Sequence, residues 1–199
     1  MVKTTKKIIS TLTAGLITFS LTVKVEAETA LATYCSQEAV TYSNSNNSKN
    51  NVPIITSIHV AETGLLVGAC MWLGNAMLAI YEGGEIELVQ REAGANINYY
   101  NSGKIQNIGN LAFDYYPNSG NRAGKIRLIG NLYFDYYPNN GSSRSDKLRS
   151  VGNLYFDYYP NGDNNSGKIQ RIGDVNFQYL SNGIMESQGQ ISGVKIVIR

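Results

Sequence analysis

Histidine, cysteine and tryptophan are scarce in this 199-residue chain, which has one His, two Cys and one Trp. One imidazole and two thiols cannot assemble a four-ligand zinc set, so no metal is expected. His59, flanked by Ile58 and Val60, reads as a core or surface filler, because a nucleophilic triad needs a partner that orients its base. No Gly-rich loop ends in Lys-Ser or Lys-Thr, which excludes a phosphate-cradling loop, and no cofactor is expected. Charged residues make up only 16% of the chain.

The first residues carry an export signature. Lys3, Lys6 and Lys7 precede the uncharged stretch Ile8–Val23, and Val25-Glu26-Ala27 puts small residues where a signal peptidase reads. Sixteen residues are fewer than the ~20 that span a bilayer, which favours a cleaved signal peptide over residues 1–27 rather than an anchor. That segment holds four lysines (3, 6, 7 and 24) and Glu26, so 13 of the 17 basic residues remain against 14 of the 15 acidic ones. The remainder is near neutral and offers no electrostatic footprint for nucleic acid. A secreted, periplasmic or cell-envelope location follows, with no membrane span after cleavage. Two cysteines in an exported chain predict a Cys35–Cys70 disulfide, stabilising by ~3 kcal/mol through loop closure. Val67-Gly68-Ala69-Cys70 is similar to a lipobox but lies too far from the signal to act as one.

Glycine and tyrosine are abundant, at 20 and 14 residues, and they are periodic. Gly109, Gly130, Gly152 and Gly173 are spaced by 21, 22 and 21 residues. The phrase GNLYFDYYPN occurs at Gly130 and again at Gly152, with Lys104, Lys125, Lys147 and Lys168 opening successive units. Clear repeats cover 95–183, ending in the drifted copy Gly173–Leu180, as terminal repeats commonly do. Leu73–Tyr81 fits the same template upstream. It makes the uncharged run Gly64–Tyr81 a glycine-punctuated hairpin and not a membrane helix.

Each unit reads as a β-hairpin. Leu132–Tyr137 alternates with period two, Gly130-Asn131 is a two-residue type II′ turn, and Pro138 stops the strand. Leu132, Phe134 and Tyr136 fall on a core face; Tyr133, Asp135 and Tyr137 fall on the other. Ile126 and Ile129 are three apart, so both reach the core only through a one-residue bulge. The fold class is therefore all-β: an antiparallel meander of repeated hairpins, curled into an open barrel or packed as a layered sheet. Residues 28–51 form a polar N-terminal segment and linker, and 52–199 the repeat domain, with Val52–Trp72 available to cap its apolar face. Strands of five or six residues are too short for an outer-membrane barrel, which needs ~9–11.

The run Tyr136-Tyr137-Pro138-Asn139, followed by a Gly-equivalent, Lys and two spaced aliphatics, resembles the YD repeats of the RHS class. It is similar, too, to the Tyr-rich repeats of small exported bacterial proteins. The resemblance implies a β-hairpin repeat at or beyond the cell envelope, and it implies no activity.

The candidate binding face comprises Tyr116, Tyr133, Asp135, Tyr137, Tyr155, Asp157 and Tyr159, with Arg127 and Arg149 positioned to pair with Asp135 and Asp157. Aromatic rings beside carboxylates and amides suit sugars, and Tyr and Arg suit protein interfaces equally. Cross-strand pairs that merely stabilise the sheet would give the same ladder. The expected function is a structural or binding role toward a cell-wall glycan or an envelope protein, without catalysis. The alternative is a polysaccharide hydrolase using Glu85 and Glu87, two residues apart on one strand face. Pro160–Gly167 offers oxygen ligands but lacks the acidic spacing of a calcium loop. Intact-mass analysis of the exported chain should find Glu28 at the N-terminus; retention of residues 1–27 would contradict the cleavage reading.

Overall fold

The computed structural model describes residues 30–40, 52–162, 164–180, 185–188 and 194–198. The proposed signal segment and the polar stretch Ser43–Asn51 lie outside the described residues. Among the described residues one helix, α1, spans residues 30–40. A five-stranded sheet contains β1 (Ile54–Val60), β2 (Leu66–Trp72), β3 (Ala76–Tyr81), β4 (Ile86–Arg91) and β15 (Lys195–Ile198), in the order β15-β1-β2-β3-β4. It is antiparallel except where β15 lies parallel to β1.

The repeats form a ten-stranded antiparallel sheet whose spatial order follows the chain. Its strands are β5 (Ile97–Tyr99), β6 (Ile105–Ile108), β7 (Leu111–Tyr115), β8 (Ile126–Ile129), β9 (Leu132–Tyr136), β10 (Leu148–Val151), β11 (Leu154–Tyr158), β12 (Ile169–Ile172), β13 (Val175–Tyr179) and β14 (Met185–Gln188). The meander expected from the period is thus present. Of the two closures considered, the layered one holds, because the apolar faces of both sheets share one core. Phe113, Phe134, Phe156 and Phe177 from the repeats meet Ile58, Ala69, Met71 and Ile80 from the smaller sheet there.

Local geometry follows the hairpin reading closely. Gly109, Gly130, Gly152 and Gly173 have φ between 54° and 59°. Asp146 is the one described non-glycine residue with positive φ. The turn residue after each of these glycines therefore has negative φ, as a type II′ turn requires. The bulge is also present. Tyr115 opposes Ile126 while Asp114 opposes Leu128, which leaves Arg127 as the extra residue. Ile126 and Ile129 are both fully buried. The same slip recurs between β5 and β6, β9 and β10, and β11 and β12.

Gly64–Tyr81 folds as the β2–β3 hairpin, and both of its faces are covered. Leu66, Ala69, Met71, Leu78 and Ile80 point to the shared core. Cys70, Trp72, Met77 and Ala79 point to a second cluster with Leu31, Cys35 and Ala39 of α1. Burial on both sides explains why this run lacks the polar alternation of the repeats. The helix sits within the stretch read as polar; its apolar stripe is only Leu31, Cys35 and Ala39, four residues apart on one face. The expected disulfide is formed: Cys35 of α1 and Cys70 of β2 are joined, with Cα atoms 5.3 Å apart. Such a bond belongs to an oxidising environment. No helix among the described residues is long and apolar enough to cross a membrane.

Three backbone hydrogen bonds tie the sheets together at the bulges. Ile126 N–H donates to Gly84 O (3.3 Å), Leu148 N–H to Glu82 O (2.9 Å) and Ile169 N–H to Gly64 O (2.7 Å). Gly84 and Gly64 also lie against Tyr136 and Tyr179, where an added Cβ would come within 2.4 Å of the tyrosine. The turn glycines offer a test of two separate costs. Both Gly109→Ala and Gly130→Ala incur left-handed strain of ~1–2 kcal/mol. Only the second brings a Cβ to 2.8 Å from Leu111, Gly109 facing open space. Urea unfolding should show Gly130→Ala as the more destabilised; equal losses would refute the packing part.

Candidate functional site

The outer surface of the repeat sheet is built from the alternate residues of each unit. Tyr133 and Tyr155 are 43% and 55% exposed, whereas Tyr116, Tyr137 and Tyr159 are half-buried. Tyr133 opposes Leu128, and Tyr155 opposes Ser150, which on its other side opposes Asp135. Successive units are therefore staggered by two residues. This sets Tyr133 and Tyr155 two strands across and two residues along from one another, a backbone separation of roughly 12 Å.

The half-buried tyrosines, and the exposed Tyr100 of the first unit, are engaged with the next unit. Tyr100, Tyr116, Tyr137 and Tyr159 donate their hydroxyls to the carbonyls of Phe113, Phe134, Phe156 and Phe177 at 3.1, 3.0, 3.2 and 2.9 Å. Each meets the first tyrosine of the following unit edge-to-face, with centroids 5.7–6.3 Å apart. Lys104, Lys125, Lys147 and Lys168 lie over Tyr115, Tyr136, Tyr158 and Tyr179, 4.7–5.0 Å from the centroids. Burial, aided by the bond to Asp157, pushes the Tyr137 hydroxyl up to about 12, and burial does the same for Tyr115. The phrase thus divides its tyrosines. Those at 115, 136, 158 and 179 pack on the core side, those at 116, 137 and 159 couple units, and Tyr133 and Tyr155 remain at the surface.

The arginines pair differently from expectation. Arg127 bonds Asp114, Arg149 lies 3.4 Å from Asp135, and Arg171 reaches Asp157 at 2.5 Å. Each returning strand thus pairs back to the aspartate before it. The bulge is the reason: Asp114 faces Leu128 across the β7–β8 pair, beside the extra residue Arg127. On the other side, the β8–β9 pairing spans only Leu128–Tyr133 and Ile129–Leu132, short of Asp135. Asp135 takes a second partner, Arg122, at 2.9 Å. Burial works to raise the Asp157 pKa, but hydrogen bonds from Tyr137 and Arg171 outweigh it and hold the carboxyl below its ordinary value.

Arg122, Arg144 and the lysine ladder were not anticipated. A signal existed, since Arg122 precedes Lys125, and Arg144 precedes Lys147, by the same three residues. Glu85 and Glu87 are both exposed, and Glu87 accepts a hydrogen bond from Tyr81 at 2.6 Å. In the loop 160–167, Asp163 lies outside the described residues. Ser166 Oγ donates to Pro160 O and accepts from Gly162 N–H, so the loop turns on its own bonds.

His59 is buried, stacked on Tyr34 with centroids 5.3 Å apart. Potential ligand atoms of Glu38, His59 and Cys70 lie within 4.8 Å of one another, but the Cys70 sulfur is committed to the disulfide. Glu38 accepts from Thr56 and Ser57, both at 2.8 Å. With its proton on Glu38, Ser57 accepts from His59 Nε2–H. These bonds support α1 on its sheet.

Asp157 yields a pH prediction. Its folded pKa is depressed, so its stabilising contribution is present above the unfolded value of about 3.9 and is lost as pH falls through the folded one. Thermal unfolding between pH 5 and pH 2 should therefore be less acid-dependent in Asp157→Asn than in wild type; parallel curves would refute the assignment. Comparison of the chain with family models, with curated proteins and with solved structures gives no match.

Proposed function

We propose that this is an exported, non-catalytic binding protein that holds an envelope glycan on the outer face of its repeat sheet. One observation carries the reading. The repeat phrase satisfies most of its tyrosines internally, yet leaves Tyr133 and Tyr155 exposed at matching positions in successive units. Rings roughly 12 Å apart offer two stacking platforms along an extended saccharide chain. The paired Asp–Arg groups between them supply donors and acceptors for hydroxyls. The disulfide supports an oxidising location, and the near-neutral charge of the chain without residues 1–27 offers no electrostatic footprint for nucleic acid.

Tyr133 shares a hydrogen bond of 2.7 Å with Tyr116, which fixes its ring and lowers the entropy lost on binding. Tyr155 is the more open platform. A protein partner fits the same composition, but two tyrosines make a narrow hot spot for an interface of standard size.

The test is a glycan array followed by titration of any hit. Tyr133→Ala with Tyr155→Ala should weaken binding about tenfold or more, at 1–3 kcal/mol per stacked ring as for nucleic-acid bases, with an unchanged melting temperature. Glu85→Gln should leave binding intact and no product should form. Silence of the wild-type protein on the array, or hits indifferent to both tyrosines, would sink the proposal.

A further inference from the structure

One arginine of the repeat breaks the pattern that its counterpart obeys. Arg122, in the loop between β7 and β8, lies over the Tyr116 ring, pairs with Asp135 at 2.9 Å and donates to Tyr136 O at 2.8 Å. Arg144 occupies the equivalent place between β9 and β10 and lies over the Tyr137 ring. Its counterpart carboxylate, Asp157, is already held by Arg171 and Tyr137. Arg144 near it only adds to the positive field that keeps Asp157 ionised. The Arg144 Nε is buried without a hydrogen-bond partner, and among the described residues this guanidinium makes no ion pair. One extra residue in this loop, seen as the 22-residue spacing between Gly130 and Gly152, accompanies the change.

Arg144 instead lines an open cleft of about 470 Å³ between two successive repeat loops, with Tyr137, Pro138, Asn140, Pro160 and Asn161. The polar groups here are set as donors. Asn140 Oδ1 accepts from Ser142 N–H and Ser145 Oγ, and Asn161 Oδ1 accepts from Ser143 N–H. Among the described residues neither side-chain amide has a partner for its NH₂ group, and the same bonds stiffen the loops. Two prolines supply flat apolar surface. Tyr137 belongs to the outer face as well, so the cleft continues that face at its loop edge.

We infer that this cleft is a subsite for a carboxylate-bearing sugar residue, a uronic acid within a polysaccharide, whose carboxylate pairs with Arg144. The inference rests on the glycan-binding reading above and specifies its ligand class. A planar guanidinium takes a carboxylate through two parallel hydrogen bonds. The Asn140 and Asn161 amides face ring hydroxyls, and Pro138 and Pro160 take a C–H face. An uncharged sugar would leave the Arg144 fork without an anion, the condition it has now.

Calorimetric titration of the exported chain with oligogalacturonate and oligomannuronate, each beside its methyl ester, tests this. The acids should bind about tenfold or more tighter than the esters, the worth of a hydrogen-bonded charge. Arg144→Gln should bring acid affinity down to that of the ester without moving the melting temperature. Equal affinity of acid and ester, or an acid affinity unaffected by Arg144→Gln, overturns the subsite. If binding in that case still falls in the Tyr133→Ala, Tyr155→Ala variant, the glycan-binding face stands without it. Failure of the wild-type protein to bind any acidic or neutral oligosaccharide overturns both.

Discussion

A sheet with ten strands and aromatic residues along one face is stable only when that face is removed from water, and every other feature of this fold is subordinate to that requirement. Four phenylalanines and the tyrosines at 136 and 158 are almost fully buried. At 1.5–3 kcal/mol for each large side chain, their burial outweighs any single polar contact in the molecule. The cover is a second sheet, whose β2–β3 hairpin is apolar on both faces and which is closed on its far side by a disulfide-linked helix. The layers are pinned where the repeats are irregular. Three of the four bulges turn an N–H toward a loop carbonyl of the smaller sheet, so the slip that carries Ile126 and Ile129 to the core also supplies an inter-sheet bond.

With the inner face occupied, coupling between repeats falls to the sheet's edges and outer surface. A tyrosine hydroxyl on the next unit's phenylalanine carbonyl, an edge-to-face ring pair and a lysine over a ring recur with nearly constant geometry. Each is small, about 0.5–1.5 kcal/mol, and their repetition makes the array act as one body. Tyr116, Tyr137 and Tyr159 therefore read as couplings between units. Tyr133 and Tyr155 take no part in that ladder's core, and Arg144 has left it. Those three residues carry the functional reading.

Much of this was legible in the chain itself. The period, the strand length, the type II′ turn at Gly130-Asn131, the alternating faces and the bulge before Ile129 all follow from local rules with a fixed period of two. The Cys35–Cys70 bond followed from there being only two cysteines in a chain read as exported. Helix 30–40 was not legible, because its small apolar residues are spread around it and only Leu31, Cys35 and Ala39 form the buried stripe, a weak periodic signal. The arginine partners were misread by one strand pair. A bulge shifts register on one side of a strand and not the other, and sequence spacing alone does not reveal which side.

The sequence by itself determined the hairpin unit and the division of its residues between two faces, since backbone alternation and turn stereochemistry depend only on neighbours along the chain. Only the tertiary structure decided that the repeat sheet packs on a second sheet, that most of the repeat tyrosines are internal couplings, and that Arg144 differs from Arg122. Those outcomes depend on which groups meet across strands and between loops. Two identical copies of GNLYFDYYPN acquire different surroundings once one loop gains a residue.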